Sequence, residues 1–150
     1  MAYTASCLCN GIQLQIDAEL APIMVCHCNQ CQKAQGAAFA AITQVQKSDL
    51  NILQGENLLQ AYFSSPNKKR MFCKTCGSPV WSERLDKPEV VRLRVGLVNE
   101  EISTQVSSHA FVTSKVKWYS ICDDAHQYPN GVESPKILRF DQILFICKKT

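Results

Sequence analysis

Cys26-His27-Cys28-Asn29-Gln30-Cys31 places three thiols within six residues, at i, i+2 and i+5. In an extended segment, residues i and i+2 face the same side. A turn at Asn29-Gln30 then brings Cys31 back toward the other two. One short segment thereby offers three sulfurs around one point. Structural zinc takes four ligands, whereas catalytic zinc takes three and keeps an exchangeable position. A self-contained tripod of thiolates suits the second kind. The rest of the chain reads as scaffold around it, the alternative being three reduced cysteines without a metal.

Working outward, the other cysteines repeat the pattern. The chain carries nine in 150 residues. Seven fall in tight groups, Cys7/Cys9, Cys26/Cys28/Cys31 and Cys73/Cys76, which is metal-ligand spacing. An odd total disfavours a closed disulfide set, and a reducing compartment would keep the thiols unpaired. Cys122 and Cys147 stand alone and read as small buried apolar side chains.

Length and composition set the class. One hundred and fifty residues with 46% apolar content read as one soluble globular domain over residues 1–150. A net charge of +3 is too small to argue for nucleic acid. No apolar run approaches the ~18 residues of a membrane span. The first six residues lack the basic and apolar regions of a signal peptide. A cytoplasmic protein is expected, with no nucleic-acid or membrane partner; the oligomeric state is left open.

Residues 3–17 predict a β-hairpin, with Ile12, Leu14 and Ile16 alternating with polar neighbours. Asn10-Gly11 marks its turn, with Cys7 and Cys9 at the tip and Gly11 freeing backbone N–H groups for the sulfurs. Ile23-Met24-Val25 leads as a short strand into the tripod. A short helix over 30–35 should stop at Gly36. Residues 37–45 read as a strand, 47–49 as a turn, and 52–53 and 58–63 as two more strands. Lys68-Lys69-Arg70 reads as a solvated turn or strand edge. It precedes Cys73-Lys74-Thr75-Cys76-Gly77, a zinc-knuckle signature in which Gly77 takes a positive φ. Residues 80–84 and 90–95 predict strands, with Val91, Leu93 and Val95 inward and Arg92 and Arg94 outward or lining a groove. A strand over 105–112 carries His109 and Phe111, and a polar, aromatic loop follows over 113–119. A turn at 128–131 and a last strand over 137–140 complete a mainly β chain with one short helix; the apolar run 143–146 would dock on the core or on a partner.

The two cysteine pairs complete each other. Cys7, Cys9, Cys73 and Cys76 make a four-thiolate tetrahedron that staples the hairpin to the middle of the chain. Cys26, Cys28 and Cys31 need no distant partner for three ligands. His27 is a candidate fourth ligand, but in an extended segment it points away from Cys26 and Cys28. A place beside the metal, a contact to substrate or a plain surface position are the other readings. His109 and His126 stand isolated. The knuckle also fits no redox setting, which would require a helix starting at its first cysteine.

Ser6-Cys7-Leu8-Cys9-Asn10-Gly11, the segment 26–31 and Phe72-Cys73-Lys74-Thr75-Cys76-Gly77 together resemble the glutathione-dependent formaldehyde-activating enzyme family. The resemblance continues through Gly96-Leu97, residues 109–115 with Trp118, and Gln127-Tyr128-Pro129. It implies a β-tent fold of small antiparallel sheets pinned by zinc. It implies a structural zinc on Cys7, Cys9, Cys73 and Cys76. It implies a second, active-site zinc on Cys26, Cys28 and Cys31, which need not be fully occupied. It further implies a carbon–sulfur lyase joining a thiol such as glutathione to a small aldehyde such as formaldehyde.

Three thiolates on Zn²⁺ leave one position for a thiol, which stays nucleophilic as a thiolate. Glutathione is anionic, so cations should line its pocket. Lys115 and Trp118 are the candidate substrate contacts, with Arg92 or Arg94 as further cations; a surface role is the alternative for each. Two rivals stand against the lyase. One is a non-enzymatic zinc module for protein or nucleic acid, as in chaperone-like and chromosome-associated relatives of this fold. The other is methionine sulfoxide reduction through Cys122 or Cys147, which would leave the tripod without a purpose.

Overall fold

The structure, a computed structural model, describes residues 2–133. The strand expected over 137–140, the run 143–146 and Cys147 lie outside the described residues. The chain is mainly β. In order it forms β1 (Tyr3–Ser6), β2 (Gln13–Ile16), β3 (Ile23–Cys26), helix α1 (Asn29–Gln35), β4 (Ala40–Gln46) and β5 (Leu50–Gln54). Then come β6 (Leu59–Ser65), β7 (Lys68–Cys73), β8 (Pro79–Arg84), β9 (Lys87–Arg94), β10 (Val106–Ala110) and β11 (His126–Gln127). Short 3-10 turns occupy Lys47–Asp49, Glu56–Leu58, Val95–Leu97 and Val112–Ser114. The chain divides into two compact units.

The first unit comprises Met1–Ile23 and Ala41–Gln105. In it β1, β2 and β5 form one sheet, and β4-β9-β8-β7-β6 run side by side, with antiparallel pairs throughout. The hairpin expectation holds: β1 pairs with β2, Ala5 opposite Leu14. Period-two alternation puts Ile12, Leu14 and Ile16 inside, where they join Val80, Trp81, Val91 and Leu93 in one core. Each such side chain contributes about 1.5–3 kcal/mol on leaving water.

Two basic side chains depart from expectation. Arg70, read as part of a solvated turn or strand edge, is buried, and so is Arg94, read as facing out or lining a groove. Both lie on strands flanked on each side, β7 between β6 and β8, β9 between β4 and β8. Their long stems pack along the sheet while at least one nitrogen of each head finds an acceptor. Arg70 Nε donates to Ser64 Oγ at 3.0 Å, and Arg94 Nη1 donates to the Arg92 carbonyl at 3.1 Å. The basic triplet is therefore a strand segment with one buried member.

The second unit comprises Met24–Ala40 and the described residues from Val106 on. Its strands lie in the order β11-β10-β3. The β10–β11 pair is parallel, His109 opposite Gln127, in contrast to the antiparallel pairs above. Two residues are too few to show a period, so β11 left no sequence pattern. The strand expected over 105–112 ends at Ala110, because Phe111 turns left-handed at φ 58°. The strand expected from 37 begins at Ala40. Helix α1 ends as expected, on Gly36 at φ 60°. Cys122, expected to be buried, is exposed. No helix among the described residues is long and apolar enough to cross a membrane.

Candidate metal centres

In the first unit, the tip of the β1–β2 hairpin and the turn after β7 bring Cys7, Cys9, Cys73 and Cys76 together. Their four sulfurs all lie within 4.8 Å of one another. Cys7 Sγ is 3.5 Å from Cys9 Sγ, and Cys9 Sγ is 3.9 Å from Cys73 Sγ. Four thiolates at about 2.3 Å from a zinc ion stand about 3.8 Å apart at tetrahedral angles. The sulfurs are thus spaced for that ion, and none is joined in a disulfide.

The backbone is turned toward these sulfurs. The Ile12 amide donates to Cys7 Sγ at 3.2 Å, and the Gly77 amide closes the knuckle on the Cys73 carbonyl at 2.8 Å. Gly77 takes the expected positive φ, 77°. Gly11 does not. Asn10 carries the left-handed turn at φ 59° instead. Glycine at position 11 answers to space: a Cβ there would meet Leu58 Cδ1 at 2.7 Å and Cys9 Sγ at 3.2 Å.

In the second unit, the end of β3 and the start of α1 supply the tripod. Cys26, Cys28 and Cys31 place their sulfurs within 4.8 Å of one another. Cys28 is extended at φ −66° and ψ 152°, and its sulfur caps α1 by accepting from the Cys31 amide at 3.4 Å. Among the described residues no histidine or carboxylate joins this group. The neighbouring sulfurs of Cys28 and Cys31, together with burial, push the Cys26 thiol far above its ordinary range. Three thiolates cannot share this space uncompensated. A divalent cation is the chemistry that would let them ionise, releasing their protons as it binds. Cys28 is half-buried, whereas Cys26 and Cys31 are buried, so approach is from the Cys28 side.

His27 is no surface residue. It is 0% exposed, pointing off the strand face that carries the thiols. Its Nε2 lies 2.9 Å from Nδ1 of His109, itself 1% exposed, and His109 Nε2 lies 3.0 Å from both carboxylate oxygens of Asp123. Burial lowers the His27 pKa to about 4, with His109 and Lys115 acting in the same direction and Asp123 opposing. Phe39 and Tyr119 pack against the imidazole, with ring centroids 5.6 Å and 6.1 Å away. Sequence reasoning missed His109 and Asp123. The available signal was Val106 to Phe111 as a strand with His109 at an apolar-flanked position.

The candidate substrate contacts fall as follows. Lys115 Nζ donates to the carbonyls of Val116, at 3.0 Å, and Tyr119, so its charge is fixed within its own loop. Trp118 is 74% exposed. Gln32 ties this loop to the tripod segment, donating to the carbonyls of His27 at 2.7 Å and Ser114 at 2.9 Å. Arg92 and Arg94 belong to the first unit.

A mainly β chain with one four-thiol cluster and one three-thiol cluster defines a narrow class. The model of the family described as glutathione-dependent formaldehyde-activating enzyme matches residues 2–114, and the chain belongs to that family. It is 33% identical over 79 residues to an uncharacterized lyase of Schizosaccharomyces pombe, covering 53% of this chain and 56% of that one. It is 28% identical over 85 residues to an Aspergillus flavus protein named provisionally as a glutathione-dependent formaldehyde-activating enzyme, covering 55% and 44%. The chain spans about half the length of these curated relatives. A crystal structure of a Rhodobacter sphaeroides protein shares the fold at a TM-score of 0.56 and 24% identity, covering 71% of this chain and all of that one.

Proposed function

We propose that this chain is a carbon–sulfur lyase acting at Cys26, Cys28 and Cys31. It joins a small-molecule thiol, glutathione first among the candidates, to a small aldehyde, formaldehyde first. The observation that carries this reading is the three-sulfur group itself, built by one short segment and left without a fourth protein ligand among the described residues. Family membership supports the reaction class.

Zinc held by the three sulfurs would lower the pKa of a thiol taking the remaining position, so that the nucleophile is a thiolate at neutral pH. The chain's own residues do the rest. Cys28, capping α1, keeps the sulfur group fixed to a rigid element and open on one side. Gln32 holds the 114–119 loop against the tripod segment, and Lys115 keeps a positive charge close to His27. That charge suits the carboxylates of glutathione. Holding thiol and aldehyde in one place turns a slow encounter into a proximate one. In the step itself the S–C bond forms as the C=O π bond breaks. The proton given up by the thiol ends on the oxygen, leaving a hydroxymethyl thioether.

Cobalt(II) in place of zinc reports the ligands directly. Glutathione should change the visible cobalt spectrum of the wild-type protein and leave that of Cys28→Ser unchanged. A wild-type spectrum indifferent to millimolar glutathione and to other small thiols would remove the reading.

A further inference from the structure

Three sulfurs without a fourth ligand suit a second kind of guest. Cys26, Cys28 and Cys31 place their sulfurs within 4.8 Å of one another, and among the described residues no histidine or carboxylate joins them. Cys26 and Cys31 are buried and Cys28 is half-buried. Charge in such a place is costly unless it is balanced. Zn²⁺ on three thiolates leaves one negative charge over. A trivalent centre on the same three thiolates leaves none. Trivalent arsenic also makes only three bonds, in a shallow pyramid, and its lone pair takes the side on which zinc needs a fourth ligand. The segment is built in advance for this. Cys26 ends β3, and Cys28 caps α1 by accepting from the Cys31 amide at 3.4 Å. Once one sulfur has bonded, the second and third bonds form within one molecule rather than by further encounters.

We infer that Cys26, Cys28 and Cys31 form a binding site for trivalent arsenic, taken from arsenous acid or from its complex with three glutathiones, and that arsenic shuts the centre by occupying all three sulfurs. From arsenous acid, three As–O bonds break and three As–S bonds form, and each thiol proton leaves with a hydroxyl as water. From the glutathione complex, three As–S bonds are exchanged for three others, and each glutathione leaves as the thiol with a cysteine proton. Where zinc already holds the thiolates, the zinc ion leaves and the buffer supplies the three protons. Arsenic stays trivalent throughout, so nothing is oxidised or reduced. The inference needs the three sulfurs and not the lyase reading. The Cys7/Cys9/Cys73/Cys76 group should resist, because its four thiolates saturate a zinc ion and arsenic would leave one of them over.

Zinc-loaded protein exposed to a slight excess of arsenous acid tests this. Its intact mass should rise by one arsenic less three hydrogens, and a colorimetric zinc indicator should register the loss of one zinc ion per chain and no more. X-ray absorption at the arsenic edge should show three sulfur neighbours and no oxygen, a readout that needs no substitution. Cys28→Ser should bind arsenic about a hundredfold more weakly, because its third thiol must then come from solution. The same measurements with the glutathione complex in place of arsenous acid separate the two sources. Both should load the site; loading from arsenous acid alone keeps the site and limits its source to the free oxyacid. No arsenic bound from either source, oxygen among its neighbours in the wild type, loss of the zinc held by the four-thiol group, or wild-type affinity in Cys28→Ser would overturn the inference. If the protein lacks lyase activity and still takes one arsenic on three sulfurs, the lyase reading fails and the arsenic site stands. If it is active and takes none, the arsenic site fails and the lyase reading stands.

Discussion

Cys9 Sγ lies 3.9 Å from Cys73 Sγ, although the two are 64 positions apart in sequence. A metal there closes a long loop, which is where a cross-link constrains an unfolded chain most. Structural zinc contributes on the order of 10 kcal/mol in small metal-dependent domains. The core around Ile12, Leu14 and Leu93 supplies part of the stability here, so the dependence should be partial. Cys73→Ser should lose one metal per chain and lower the thermal midpoint by more than 10 °C, on the scale of about 3–5 kcal/mol for a chain of this size. Unchanged metal content by emission spectrometry, with an unchanged melting curve, would contradict the assignment.

Two glycines with positive φ separate strain from crowding. Gly36 has φ 60° and open space where a Cβ would stand. Gly55 has φ 80°, and a Cβ there would fall 2.1 Å from the Gly11 carbonyl oxygen. Gly36→Ala should cost about 1–2 kcal/mol, the left-handed penalty alone. Gly55→Ala should cost more, because the backbone of residues 11 and 12 cannot yield without moving the Cys9 turn. Urea midpoints give the order; equal losses would show that the contact relaxes freely.

The hairpin, the helix and the three cysteine groups were legible because each is a local pattern. Ile12, Leu14 and Ile16 alternate, Gly36 stops a helix, and the cysteines sit two or three residues apart. The row His27, His109 and Asp123 was not legible, since nothing in the sequence pairs position 27 with 109 or 109 with 123. Only the strand order β11-β10-β3 brings the two histidines together. Arg70 and Arg94 escaped for a similar reason. Each sits on a strand with a neighbour on both sides, which neither the basic triplet at 68–70 nor the alternation at 90–95 reveals. Gly11 turns its backbone amide to a sulfur, as read, and it also answers to space, which the sequence does not show.

Glu83 makes stability depend on pH. Its carboxylate is buried, which alone would raise its pKa. The Trp81 indole N–H at 2.7 Å, Lys69 at 3.2 Å and Lys47 at 3.4 Å outweigh burial, and the net direction is down. A folded pKa below the unfolded value of about 4.3 means stability that is present above that pH. It is lost as pH falls through the folded pKa. Glu83→Gln should therefore be less stable than wild type at pH 7 and converge with it below about pH 4. Parallel stability curves for the two proteins across that range would refute the ion-pair account.

The two metal centres should separate by mutation. Cys28 belongs to the second unit, and its loss leaves the Cys7/Cys9/Cys73/Cys76 group untouched. Cys28→Ser should bind one metal per chain where the wild type binds two, with the melting temperature within about 3 °C of wild type, since the first unit keeps its core. A Cys28→Ser protein that loses both metals or fails to fold would show that the centres are coupled.

The central claim is that the three-cysteine group is the reaction centre, and exchange spectroscopy tests it most directly. Nuclear magnetic resonance can follow interconversion of formaldehyde with its glutathione adduct, a reaction that also proceeds unaided. Protein carrying two zinc ions should raise the exchange rate above the protein-free control in proportion to its concentration, and Cys28→Ser with its one remaining metal should not. Exchange at the control rate with fully loaded wild type, or undiminished acceleration by Cys28→Ser, would contradict the account.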